Sequence, residues 1–208
     1  MLVLWSELIS YHFSIAQWRT NLLDVDKALG TFFTGCFEAG PEGCAFYAES
    51  PEAIQQNLTN IFESLRAQPI PIKTDSTYGI LDHTTVRIAM FSALSSPYAL
   101  FPVIAQGLAQ LATGNGTSLF QLLNPPGSQF QCSCDPEAHA DDQVADVSTA
   151  ITCNDGDEVP TDLNSAKEYY DEMINLTDWA DLWVGVRLSC VSVSFLLFLD
   201  VPLIVDKR

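Results

Sequence analysis

The clearest helical pattern in the chain lies at residues 50–66, which read SPEAIQQNLTNIFESLR. The Ser50 hydroxyl can cap a helix, Pro51 suits the first helical position, and Glu52 faces the positive end of the helix dipole. Apolar side chains then recur at helical spacing, which predicts one buried face. That face consists of Ile54, Leu58, Ile61, Phe62 and Leu65. The stretch therefore predicts an amphipathic helix that ends near Arg66.

Similar patterns predict further helices on both sides of this one. A helix is expected at 16–37, ended by Gly35 and the turn at 40–43. Asp82 and Ser96 are expected N-caps of the next two helices, which end near Leu94 and Thr113. A short helix is expected at 117–123. One long helix is expected from a cap at Thr161 and Asp162 to Ser189.

The remaining segments lack helical periodicity. The prolines in 69–72 predict an extended connector. Residues 124–147 are expected to form a loop, and 150–153 an extended apolar run. Alternating strand–helix units are absent from the sequence. The predicted fold class is therefore mainly α, with at most a few short strands and without a complete central sheet.

Charge and length exclude several functions. The chain has 208 residues, 48% of them hydrophobic, with 26 acidic against 9 basic side chains and a net charge of −17. A nucleic acid or an anionic membrane would repel it. No apolar run reaches the roughly 18 residues that a spanning helix needs. The apolar run at 195–205 is short and contains Asp200 and Pro202, so membrane attachment is disfavoured. We therefore expect no nucleic-acid partner and no membrane partner.

Cysteines and glycosylation motifs indicate the secretory pathway. Three Asn-x-Thr motifs place candidate glycosylation sites at Asn57, Asn115 and Asn175. The six cysteines are Cys36, Cys44, Cys132, Cys134, Cys153 and Cys190. An even count without a CxxC pair suits disulfides better than zinc. No metal site and no cofactor are expected. Residues 1–18 have no basic region before their apolar stretch, so this segment does not read as a signal peptide.

Disulfide pairing is partly open from the sequence. A bond between Cys36 and Cys44 is favoured because it closes a short turn. Cys153 with Cys190 is the next choice. Cys132 and Cys134 would pair with each other or with cysteines outside this chain. The second option is favoured because a Cys-x-Cys bridge is strained.

Catalytic motifs are missing from the sequence. The glycines and serines at 116–118 and 127–128 do not complete the G-x-S-x-G turn that exposes a nucleophilic serine. His12, His83 and His139 are interpreted as surface or irregular-segment residues. The acids Asp155, Asp157 and Glu158 form only half of a calcium loop and are interpreted as a solvated turn. Trp179 and Trp183 form an i, i+4 pair, interpreted as core or as a surface for a partner. No catalytic residue is predicted.

Several ordered segments resemble one enzyme family, the tripeptidyl-aminopeptidase-like (TAP-like) α/β-hydrolases related to prolyl aminopeptidases. The segments are 18–28 (WRTNLLDVDKA), 32–36 (FFTGC), 40–47 (GPEGCAFY), 92–98 (SALSSPY), 101–108 (FPVIAQGL), 114–117 (GNGT), 132–135 (CSCD), 150–157 (AITCNDGD) and 187–190 (RLSC). The resemblance covers about residues 17–190. It implies that the chain is the helical cap of such a hydrolase and part of the chain that returns to the core.

The family resemblance implies a function for the intact enzyme and a limit for this chain. The intact relative would be a secreted serine exopeptidase that releases short peptides from free N-termini. Its serine, aspartate and histidine segments lie outside the matching region, so this chain is expected to be inactive. The acidic cap suits a peptide ammonium group, with Glu38, Glu42 and Asp155 as possible contacts. The alternative is a non-enzymatic helical protein, derived from the cap, that binds a peptide or a partner.

Four segments summarise the predicted organisation. They are an atypical N-terminal extension (1–15), the helical cap region (16–147), a return segment with a long helix (148–190) and an atypical apolar tail (191–208). Val191-Ser192 can be encoded by GTGAGT, which has the form of a splice donor. We therefore hypothesise that the tail is read-through of an unspliced intron and that the N-terminal extension is similar upstream sequence.

Overall fold

The computed structural model describes residues 22–75, 77–124, 153 and 162–190. Among these residues it contains seven α-helices and one two-stranded antiparallel sheet. They fall in two compact units, one within Asp24–Cys132 and one that includes Cys153 and residues 162–190. For the described part of the chain, the predicted mainly helical fold class without a complete central sheet is confirmed.

The two units contain the following elements. The first unit comprises α1 (Val25–Gly43), α2 (Pro51–Ala67), β1 (Ile70–Lys73), β2 (Tyr78–Leu81), α3 (His83–Ala93), α4 (Pro97–Ala112) and α5 (Thr117–Leu123). The second unit comprises α6 (Leu163–Ile174) and α7 (Ala180–Leu188). The predicted helices at 50–66, 82–94, 98–113 and 117–123 are thus present as α2 to α5.

Helix α2 follows its sequence signals. The Ser50 hydroxyl accepts a hydrogen bond from the Ala53 amide at 3.2 Å, and Pro51 occupies the first helical position. Four of the five predicted stripe residues are buried, and Phe62 is half-buried. Because capping depends on neighbouring residues alone, it can be predicted without knowledge of the tertiary structure.

Helix α1 continues past the first of its predicted stop signals and is broken at the second. Gly35 lies inside the helix, and Gly40 forms a kink with φ 71° that is followed by Pro41. A positive φ is accessible to glycine, and proline is tolerated where a helical turn restarts. A disulfide between Cys36 and Cys44, with Cα atoms 5.2 Å apart, bridges the kink. The predicted stop at Gly35 is therefore wrong. The predicted stop at 40–43 agrees with the break at Gly40 and the end of the merged helix at Gly43. The predicted disulfide is confirmed.

The extended connector at 69–72 forms one strand of a hairpin. Strand β1 pairs antiparallel with β2, with Ile70 opposite Leu81 and Lys73 opposite Tyr78. Ile72 and Leu81 are buried on the inner face. On the outer face, Tyr78 is 74% exposed and Ile80 is 62% exposed. We call Tyr78 and Ile80 the outer hairpin face.

The core of the first unit joins residues that are far apart in sequence. The rings of Phe32 in α1 and Phe101 in α4 meet edge to face, with centroids 5.2 Å apart. Helices α4 and α5 approach closely at Gly107, where an added Cβ would lie 2.6 Å from Leu119 side-chain atoms. At Gly116, an added Cβ would lie 2.4 Å from the Leu81 side chain. Each glycine therefore lets a leucine pack against the backbone.

Residues 162–190 of the second unit contain two helices where one was predicted. Asp162 caps α6 as predicted, accepting a hydrogen bond from the Ser165 amide at 3.0 Å. The helix then ends at Ile174, and α7 begins at Ala180. In the turn, the buried Thr177 hydroxyl accepts a hydrogen bond from the Trp179 amide at 3.3 Å. Local side-chain bonds of this kind compete with helix continuation, so the predicted single helix from 161 to 189 is wrong.

A second disulfide and a cation–π contact hold the second unit together. Cys153 is bonded to Cys190, as predicted, with Cα atoms 5.1 Å apart. The Arg187 guanidinium of α7 lies 5.3 Å from the centre of the Tyr169 ring of α6. Trp179 is buried, which supports the core interpretation for this residue. Cys132, Cys134 and the expected loop at 124–147 lie outside the described residues, apart from Asn124.

The disulfide across the α1 kink gives the first testable prediction. Replacing Cys36 and Cys44 by alanine should lower the free energy of unfolding by about 2–3 kcal/mol, because a bond that closes a short loop restricts the unfolded chain. The measurement is urea unfolding followed by circular dichroism, with Cys153 and Cys190 replaced by alanine in all samples. The reduced parent is the control, because it lacks the bond but keeps both sulfur atoms that the alanine variant has lost. Equal stability of the oxidised parent and the double variant would contradict the prediction.

Candidate functional site

The first unit contains a groove with a volume of about 570 Å³. Its walls come from α2, from residues 45–47, from Ile70 and from the C-terminal end of α4. The lining residues are Ala45, Phe46, Tyr47, Asn57, Asn60, Ile61, Ser64, Leu65, Ile70, Ala109, Leu111, Ala112 and Gly114. None of these described residues carries a charge. The volume falls within the range of about 300–1,000 Å³ that is usual for small-ligand sites.

Helix α2 supplies the polar side of the groove. Asn57, Asn60 and Ser64 lie at helical spacing, which places them along one face of α2. The Asn60 Oδ1 atom accepts a hydrogen bond from Gln56 Nε2 at 3.0 Å, which leaves the Asn60 amide nitrogen oriented away from that bond. Two amides and a hydroxyl therefore line the groove beside Ile61 and Leu65.

Two aromatic residues, Phe46 and Tyr47, supply the apolar side of the groove. Phe46 is buried, and the Tyr47 ring is half-exposed. The Tyr47 ring stacks on Phe37 of α1, with centroids 6.1 Å apart and planes within 8° of parallel. The Cys36–Cys44 disulfide ties the start of this segment to α1. The groove thus combines uncharged polar groups with an aromatic wall.

The three glycosylation motifs occupy different settings, and all three asparagines are exposed. Asn57 lies in the middle of α2 and lines the groove. Asn115 lies after α4, and its Oδ1 atom accepts a hydrogen bond from the Thr117 amide at 3.1 Å. Asn175 ends α6, and its amide nitrogen donates to the Asp171 carbonyl at 2.6 Å. Of these asparagines, Asn57 is the one that lines the described groove.

His83 opens helix α3 behind its capping residue. Asp82 accepts hydrogen bonds from the Thr85 amide at 2.8 Å and from the Thr85 hydroxyl at 2.7 Å. These bonds, with a smaller effect of the His83 charge, hold the pKa of the Asp82 carboxyl below its usual range. The His83 ring meets Phe62 of α2 edge to face, with centroids 5.5 Å apart. His83, interpreted from the sequence as a surface residue, is thus half-buried at the start of α3 and packs on Phe62.

Other residues considered in the sequence lie apart from the groove or outside the described part. Glu38 and Glu42 are exposed on α1 near the kink and do not line the groove. His12, His139, Asp155, Asp157 and Glu158 lie outside the described residues. Within the described ranges, no group of three or more histidine, cysteine or acidic side chains could hold a metal ion. None of the described helices is long and apolar enough to cross a bilayer.

The groove could not be predicted from the sequence. Its parts come from segments that are distant along the chain, and periodicity within one helix cannot reveal such a meeting. One local feature of the sequence does indicate the polar side of the groove. The face of α2 that carries Asn57, Asn60 and Ser64 is polar but uncharged in a chain with 26 acidic residues.

Comparisons with protein-family models, curated proteins and solved structures found no match to this chain. The resemblance to TAP-like hydrolases therefore stays a prediction.

The cap of α3 gives the second testable prediction. Because the pKa of Asp82 is lowered in the folded chain, its stabilising effect is complete above the ordinary carboxyl pKa and is lost as the pH falls through the lowered value. Asp82→Ala should cost about 0.5–2 kcal/mol of stability at neutral pH. The difference in stability between Asp82→Ala and the parent should shrink in acid.

Asp82→Asn is the matched control, since its amide oxygen still caps the helix and does not titrate. Urea unfolding at a series of pH values measures all three proteins. An Asp82→Ala variant as stable as the parent at neutral pH would refute the role of the cap.

Proposed function

We propose that the chain is the cap region of a secreted TAP-like serine hydrolase. In the intact enzyme this helical cap would shape the peptide pocket and lie over the active site. The serine would attack the acyl carbonyl, the histidine would transfer protons, and backbone amides would stabilise the oxyanion. This chain alone would not hydrolyse peptides, because no triad residue can be assigned in it.

The contact between Phe32 and Phe101 carries the proposal. Both residues belong to segments that resemble the family, FFTGC at 32–36 and FPVIAQGL at 101–108. Although these segments are distant in sequence, the two rings meet at 5.2 Å. The neighbouring segments FFTGC and GPEGCAFY are joined by the Cys36–Cys44 bond. The family-like residues thus serve the packing of one helical unit, as residues that define a cap would.

Three further observations support the proposal. The described residues are mainly helical and contain a single two-stranded sheet, which fits a cap rather than a hydrolase core. Two disulfides fit an oxidising, extracellular setting. The net charge of −17 would attract the ammonium group of a peptide N-terminus. Glu38 and Glu42 are exposed and available for such a contact.

The outer hairpin face favours a second candidate, a non-enzymatic protein that binds a peptide or a partner. Tyr78 and Ile80 lie on the same side of β2 and are largely exposed. Two adjacent apolar side chains on one strand face provide a surface that another protein could cover. In the cap proposal, the hydrolase body covers this face. In the second candidate, a separate partner covers it.

Sequencing of full-length transcripts tests the hydrolase proposal most directly. We expect a message that encodes a G-x-S-x-G motif upstream and that joins, after Cys190, a segment with the catalytic aspartate and histidine. The joined reading frame would then encode the complete triad. A mature message that starts at Met1 and stops after Arg208 would overturn the proposal and favour the second candidate.

Solution behaviour separates the two candidates at the protein level. If a hydrolase body normally covers the outer hairpin face, the chain alone should self-associate. Tyr78→Thr with Ile80→Thr should then raise the monomer fraction, because threonine keeps strand propensity and removes apolar area. Analytical ultracentrifugation over a concentration series measures this effect.

Tyr98→Thr is the matched control, since Tyr98 is 99% exposed at the start of α4, outside the hairpin. It should leave self-association nearly unchanged. A parent chain that is monomeric throughout and unfolds in one cooperative transition would argue against the cap and for an independent module.

A further inference from the structure

We propose that the groove is the seat of the chain's own N-linked glycan. In this arrangement the glycan is attached to Asn57, and its first N-acetylglucosamine packs along α2 against Tyr47. The inference does not depend on hydrolase activity. It requires that the chain passes through the secretory pathway, which its two disulfides fit.

The position of Asn57 is the first argument. It is the acceptor of the motif Asn57-Leu58-Thr59 and also lines the groove. Leu58 is buried, so the motif is anchored in the core, while Asn57 and Thr59 are exposed. A sugar attached to the Asn57 amide therefore begins at the groove itself. Attachment occurs on the nascent chain, so the helical position of Asn57 does not prevent it.

The chemistry of the groove is the second argument. N-acetylglucosamine is a neutral sugar with an apolar ring face, hydroxyl groups and one amide. The described groove offers the matching groups, namely the Tyr47 ring, the Asn60 amide and the Ser64 hydroxyl. None of its described lining residues is charged, although the chain carries a net charge of −17. A neutral polar occupant fits this wall better than an ion or a charged peptide end.

The groove surface that a tethered sugar would cover is the third argument. The exposed part of the groove wall consists of Asn57, Asn60, Ser64 and the half-exposed Tyr47, because Ile61, Leu65 and Leu111 are already buried. A sugar held by its covalent bond to Asn57 would cover this surface at a high effective concentration. The glycan would then act as part of the fold and not only as a solubilising group.

Chemical modification of tyrosine tests the inference on the full chain, secreted from yeast with a cleavable leader. Mass spectrometry of glycopeptides should find Asn57 occupied in the parent and in Thr59→Ser, and unmodified in Thr59→Ala. Nitration of Tyr47 by tetranitromethane should be several-fold slower in the first two proteins than in Thr59→Ala. Tyr98 is the internal control, because its rate should be equal in all three.

Enzymatic trimming of the parent gives a second route that needs no substitution. An endoglycosidase that leaves the first sugar should preserve the protection of Tyr47. An amidase that releases the whole glycan, and thereby converts Asn57 to aspartate, should abolish it. Loss of protection after the endoglycosidase treatment would overturn the assignment to the first sugar.

Three other results would also overturn the inference. The first is an unoccupied Asn57 in the parent. The second is equal nitration of Tyr47 in Thr59→Ser and Thr59→Ala. The third is nitration of Tyr47 that is slow in Thr59→Ala but fast in Asn115→Gln. The last result would assign the groove to the glycan on Asn115, which follows the lining residue Gly114.

Discussion

The disulfide across the kink of α1 is the constraint on which the groove depends. Gly40 turns the chain with a positive φ, and the Cys36–Cys44 bond holds the two sides of that turn together. The segment that leaves Cys44 is thereby fixed beside α1, where Tyr47 stacks on Phe37. The aromatic wall of the groove follows from this local arrangement, whereas α2 begins at its own Ser50 cap. A short covalent link thus positions a surface that no single helix provides.

Features that depend on neighbouring residues could be predicted from the sequence, and features that depend on distant residues could not. The caps at Ser50, Asp82 and Asp162 rest on hydrogen bonds within three residues, and all three are present. Ser96 was expected to cap α4, but its side chain makes no capping bond. The groove could not be predicted, because α2, residues 45–47 and the end of α4 meet only in the folded chain.

The two wrong helix boundaries have different causes. At α1, Gly35 was interpreted as part of a stop, but the helix continues through Gly35 to the break at Gly40. At α6, the apolar spacing continued through the break, so periodicity predicted one helix. In the turn between α6 and α7, the Thr177 hydroxyl accepts a hydrogen bond from the Trp179 amide, and this bond interrupts the helix. At Gly35 the surrounding helix outweighs the low helix propensity of one glycine, whereas between α6 and α7 a local hydrogen bond outweighs the side-chain pattern.

The close packing at two glycines has a consequence for how this sequence can vary over evolutionary time. Gly107 lies against Leu119, and Gly116 lies against Leu81, at distances that leave no room for a methyl group. A larger side chain at either glycine forces the matching leucine to shift, and a smaller residue at the leucine position relieves the clash. Homologues that keep this packing should therefore change the two positions of each pair together. Correlated substitution between 107 and 119, and between 81 and 116, would be the mark of this fold in an alignment.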